Sequence, residues 1–201
     1  MADVLVPAVR MPRWVDNFAA RHGGVDLDVS DGALSGVAPD GSTFTAQLPF
    51  ATSYDGPPSA ASFAEAAQPP ATWGVLLVRK GGFAVARLEG EQLLEHKVGQ
   101  RHVQGRTKAG GQSQQRFARR RANQARQAYE AAADHAARVL RPGPLVIGGD
   151  RAAVDEVLAD PRLARLTVVD PWLAVPDPRR AVLDAAVQDA QGIRVTVRNA
   201  E

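Results

Sequence analysis

Along the first fifty residues the apolar positions change their spacing once. From 12 to 22 they recur at helical intervals, with Trp14, Val15 and Phe18 on one face, Pro12 suited to a first turn and Gly23-Gly24 as a stop. From Val25 to Leu48 they alternate, most clearly in VDLDV and TFTAQL, and the Asp31-Gly32 and Asp40-Gly41 pairs are hairpin-turn signals. Residues 1–50 are therefore expected to form a helix and a small antiparallel meander. Residues 51–71 hold two Pro-Pro pairs among small residues, which predicts an extended linker or surface strap. WGVLLVRK, FAVARLEG and QLLEHKV then read as three consecutive strands, with turns at Gly81-Gly82 and Glu89-Gly90.

The longest pattern runs from about Ser113 to Leu140 and stops at Pro142-Gly143. Ala118, Ala122, Ala125, Tyr129, Ala132, Ala136 and Val139 step by fours and threes, so at about 100° per residue they form one stripe. Arg116, Arg119, Arg120 and Arg126 fall on an adjoining arc, and Arg121 lies on the other flank. Beyond this helix, PLVIGG, RLTVVD and IRVTVR are strand-like runs separated by helical stretches at 151–159 and 178–191. Such alternation predicts an α/β fold, a mixed sheet flanked by helices whose first three strands are antiparallel and whose later strands enter through helices. Residues 72–201 are expected to be one domain carrying the functional loop, and 1–50 a small α+β extension with a structural or docking role.

At 201 residues and 45% hydrophobic composition the chain has ample material for a packed core. It contains no cysteine, which removes disulfides and thiolate metal sites from consideration. No run approaches the ~18 apolar residues of a membrane span, and a cytoplasmic monomer without membrane attachment is expected. Charge changes the picture more. Residues 97–126 carry nine Lys or Arg and no acidic residue, which leaves 24 − 9 = 15 basic against 22 acidic residues elsewhere. A solvated helix usually interleaves Glu with Lys, yet no acid stands between Glu95 and Glu130. Clustered cations repel one another, and a polyanion is the usual compensation. Nucleic-acid backbone binding is the expected role. Inside the segment lies Gly110-Gly111-Gln112, where two glycines permit close backbone approach and an amide side chain can orient a water or a sugar hydroxyl.

The stretch HVQGRTKAGGQSQQRFARRRANQARQAYEAAADHA closely resembles the catalytic loop and following helix of the central domain of eukaryotic and archaeal class I peptide-chain release factors. The elements that carry the resemblance are Gly110-Gly111-Gln112-Ser113 and Arg116-Phe117-Ala118-Arg119, and with the strand order around them it spans roughly residues 72–198. It is nearest to the bacterial branch of Vms-like release factors, peptidyl-tRNA hydrolases related to eukaryotic Vms-type quality-control proteins. That resemblance implies a release-factor-like domain that works on the large ribosomal subunit and frees a nascent chain from the CCA end of peptidyl-tRNA. Gln112 would position the attacking water with its side chain and stabilise negative charge at the ester with its backbone N–H, while Gly110 and Gly111 allow approach to the terminal adenosine. Neither cofactor nor metal is implied. Contacts to RNA and ribosome would fall to Arg101, His102, Arg106, Lys108, Ser113, Arg116, Arg119, Arg120 and Arg126. With no stop-codon-reading motif in the N-terminal part, rescue of stalled chains is expected rather than ordinary termination.

Two other readings share this segment. The eukaryotic Vms-type relatives vary within the glycine pair and can cut tRNA near its 3′ end, which makes an RNA endonuclease the first alternative; a non-catalytic ribosome-binding or RNA-binding module is the second. The unbroken GGQ favours ester hydrolysis. His102 could act as a base or contact phosphate, although a lone loop histidine is usually just exposed. His22, His96 and His135 lack metal-ligand spacing. Asp150 and Asp170 follow predicted strands, where helix capping and a turn before Pro171 explain them. Gly148-Gly149-Asp150 lacks the Lys-Ser/Thr of a phosphate-binding loop.

Overall fold

A computed structural model of the chain describes residues 2–100 and 112–200, with side chains for 2–99 and 126–200. It divides into two units, Met1–Pro70 with Val187–Glu201, and Ala71–Ala186. Each unit carries its own five-stranded sheet, so the fold is α/β, with two sheets and five α-helices among the described residues.

In the first unit, β1 (Ala2–Val6) precedes α1 (Met11–His22). Pro12 occupies the first turn of α1, where its missing N–H costs nothing, and Gly23 ends the helix in the left-handed region at φ 81°. Met11, Val15 and Phe18 are buried. Next come β2 (Asp26–Ser30), β3 (Ala33–Val37) and β4 (Thr43–Gln47), an antiparallel meander. Its first turn is Asp31-Gly32 with φ 51° and 74°, and two positive φ values in a two-residue loop are what an Asp-Gly hairpin supplies.

Three features of this unit depart from the expectation. SAASFAEAA is not extended: α2 (Ala60–Ala66) starts at Ser59, whose hydroxyl accepts from the Ser62 N–H at 3.5 Å. Phe63 fixes it, fully buried with its ring edge-on to Tyr54 at 4.9 Å. β1 has no signal in the sequence, because four of its five residues are exposed and leave no burial pattern to read. IRVTVR becomes β10 (Ile193–Arg198), which runs antiparallel between β1 and β4 and not in the mixed sheet. Its side chains explain the choice: Ile193 and Val195 are fully buried while Arg194 and Thr196 are not, the one-sided pattern of an antiparallel strand with a solvated face.

The second unit follows the expected order. β5 (Trp73–Arg79), β6 (Gly82–Glu89) and β7 (Gln92–Gln100) are successive antiparallel strands. Their turns are Lys80-Gly81 and Gly90-Glu91, one residue away from the glycine pairs read in the sequence. α3 (Gln112–Val139) then leads to β8 (Gly143–Gly149), parallel to β5, and α4 (Arg151–Leu158) leads to β9 (Leu166–Leu173), parallel to β8. The order β7-β6-β5-β8-β9 makes a mixed sheet with β7 at one edge. β5 at its centre is apolar on both faces, from Val75 to Val78 essentially unexposed, as a strand covered on both sides must be. α5 (Arg180–Ala190) ends the run of helices.

Candidate functional site

The basic segment enters on β7, which carries Lys97 and ends at Gln100, and leaves on α3, which begins at Gln112. Gly110, Gly111, Arg101, His102, Arg106 and Lys108, with the rest of 101–111, lie outside the described residues. Gln112 is the first residue of α3, and Ser113, Arg116, Arg119 and Arg120 follow within that helix; their side chains are outside the described set. Arg126 is exposed on α3. Helix geometry alone gives Gln112 a distinct backbone environment. N–H groups of a first turn have no partner within the helix, and the aligned peptide dipoles leave positive charge there. No acidic residue sits in that turn to cancel it.

The C-terminal part of α3 packs into the core of the second unit. Tyr129, Ala132, Ala133, Ala136 and Val139 are buried in the core of the second unit with Leu76, Val78 and Val85. At 1.5 Å per residue, Gln112 lies about 24 Å along the helix from Ala128. Ala132, Ala133 and Ala136 let the helix backbone approach the sheet closely. His135, half-buried, lies with its ring nearly parallel to that of Phe83 at 5.4 Å. Its pKa is lowered, first by desolvation and then by Arg138 and Lys97, with Asp134 opposing. Lys97 of β7 is thus brought electrostatically close to the C-terminal third of α3.

Along the same helix the charge changes sign. Beside α3, a recess of about 530 Å³ is lined by Arg126 and Tyr129 together with Glu130, Asp134, Glu156 and Asp160. Arg162 reaches both Asp134 and Asp160 at 2.7 Å. Hydrogen bonds from the Arg162 guanidinium, then from its backbone N–H, hold the Asp160 carboxyl down at about 2. The Tyr129 hydroxyl is pushed up, chiefly by burial and further by Asp150 and Glu156. In the sequence, the signal of this acidic patch is Glu130 and Asp134, four residues apart directly after the acid-free run.

The remaining candidates lie apart from one another. His22 pairs with Asp40 at 2.7 Å, His96 contacts Arg180 at 2.7 Å, and His135 stacks on Phe83. Among the described residues no group of His, Asp and Glu is arranged to hold a metal ion, and no helix is long and apolar enough to cross a membrane. Asp150 does occupy the position before α4, but its side chain makes no capping bond, and its backbone N–H donates to the Val78 carbonyl at 2.8 Å. Gly149 before it has φ 105°, and a side chain there would strike that same carbonyl, so the Gly-Gly-Asp run serves the tight passage from β8 into α4. Asp170 lies within β9, not in a turn.

Residues 71–196, more than half of the chain, match the family described as the Actinobacteria/chloroflexi VLRF1 release factor. The match begins just before β5 and runs into β10. No curated protein matches the chain.

Proposed function

The chain belongs to the Actinobacteria/chloroflexi VLRF1 release factor family, and from that membership we propose that it is a peptidyl-tRNA hydrolase freeing nascent chains on stalled large ribosomal subunits. The observation that carries the reading is the placement of Gln112 at the head of α3 directly after Gly110-Gly111, in a run of nine cations without an acid. In this reaction a water attacks the ester carbonyl that joins the peptide to the tRNA ribose. The Gln112 amide orients that water, and its backbone N–H, unpaired within the helix, donates to the oxygen as it becomes negative. The ester bond breaks, the ribose oxygen takes a proton, and the peptide leaves as a carboxylic acid. A preorganised donor of this kind lowers the barrier by roughly 2.7–4 kcal/mol. Gly110 and Gly111, with no side chains, leave room for the terminal adenosine. The arginines of α3 and the cations before Gly110 hold ribosomal RNA through its phosphates.

The test uses stalled peptidyl-tRNA–ribosome complexes. Wild-type protein is expected to release peptide with the tRNA CCA end intact, and Gln112→Ala to slow release by about 10²-fold, the scale of a misplaced reactant. Release with a shortened tRNA end would assign the site to RNA cleavage. Undiminished release by the variant would remove Gln112 from the mechanism.

A further inference from the structure

A second feature, independent of peptide release, lies in the first unit. Its sheet ends at β1, which pairs with β10 on one side and with no strand of the described residues on the other. Exposed sheet edges are usually blunted by charge, proline or a covering element. Here β1 carries one charge, Asp3, whose carboxylate accepts from the Thr196 hydroxyl of β10 at 2.7 Å, while Val4 and Leu5 are exposed by 41% and 37%, and Val9 just beyond by 88%.

Beside this edge runs a groove. A recess of about 480 Å³ is lined by Val4, Leu5 and Trp14 with Arg10 and Arg13. It continues into a second of about 350 Å³ that shares Val4 and Trp14 and adds Arg21. At 100° per residue Arg13, Trp14 and Arg21 fall within about 100° of one another on α1, while Asp16 lies about 60° outside that arc. No carboxylate lines either recess, and all three arginines are exposed. His22, at the far end, is already paired with Asp40.

The groove therefore offers main-chain pairing at the β1 edge, an apolar floor and a cationic rim. Trp14 is stacked on Phe18 at 5.8 Å and meets the edge of Phe44 at 5.1 Å, so its rings are committed to the core on those sides. Aliphatic Val4 and Leu5 complete a floor that fits side chains better than bases, which bind by stacking on aromatic faces. Strand addition is the recurring way in which an exposed sheet edge binds an extended peptide. We propose that the β1 edge and the arginine-rimmed groove dock an extended acidic segment of another protein, its apolar side chains on Val4 and Trp14 and its carboxylates facing Arg10, Arg13 and Arg21.

The full chain can be panned against a displayed library of random peptides and the enriched sequences synthesised. Enriched peptides should alternate apolar residues with Asp or Glu, and on binding they should slow amide exchange at Val4 and Leu5. Reversing the rim with Arg10→Glu and Arg13→Glu should weaken binding by about tenfold or more. Arg21→Glu, on the exposed last turn of α1, gives a second reading should the double variant lose its fold. No enrichment, peptides without acidic residues, protection away from β1, or affinity unchanged in these variants would overturn the proposal. Displacement of the peptide from β1 by a short single-stranded RNA that itself binds there would overturn it in favour of nucleic acid.

Discussion

His135 is pulled toward neutrality from several sides. Its ring lies against Phe83, and Arg138 and Lys97 both disfavour a proton on it, so its pKa falls below the ordinary 6.5. A group whose folded pKa is depressed contributes its stabilisation above the unfolded value and loses it as pH falls. Urea unfolding midpoints should therefore decline as pH drops below 6.5, and His135→Gln should flatten that decline. An equal slope in the variant would mean that other groups set it. Asp160 follows the same sign in a different window: held at about 2 by Arg162, its contribution is lost only as pH falls below its ordinary 3.8. Because that ion pair is exposed, solvent screens it and its energetic weight is small. The two environments differ in how far they show in the sequence: His135 meets Phe83 across more than fifty residues, whereas Asp160 and Arg162 stand two residues apart, and GGQ and its arginines are likewise neighbours in the chain.

At the scale of elements, α3 is seated by small side chains. Ala132 and Ala136 are fully buried where the helix crosses the sheet, and there is no room for a larger residue at close-packed density. Ala136→Leu should lower unfolding stability by about 1–3 kcal/mol through overpacking, while Arg138→Leu, on the exposed side, should cost far less. Equal effects in denaturant unfolding would contradict the seating described. This helix was readable because Tyr129, Ala132, Ala136 and Val139 repeat at its own period, and the hairpin at Asp31-Gly32 because both turn residues need positive φ. α2 was not, since the Pro-Pro pairs around it speak louder than one buried Phe63. Nor was the sheet to which IRVTVR belongs: its alternation shows one buried face, but Arg194 finds Gln47 across 147 residues, a pairing no local pattern announces.

For the whole molecule the governing asymmetry is electrical. Nine cations in one uninterrupted stretch, followed by acids on the same helix, give the chain a strongly positive region despite a formal charge of +2. Arg119→Glu combined with Arg120→Glu should weaken ribosome binding and reduce its logarithmic salt slope by roughly 1.4–1.8, the loss of two phosphate contacts. Unchanged affinity across a salt titration would exclude that surface. The placement of β10 has another whole-chain consequence. The second sheet is built within one unbroken stretch, 71–186, and can close without residues 193–198. The first sheet has no such freedom, because β1 and β4 lack the strand that joins them until β10 has left the exit tunnel. Domains ordinarily fold in order of synthesis; here the sheet that holds β1 to β4 also requires a strand from beyond the second unit, β10.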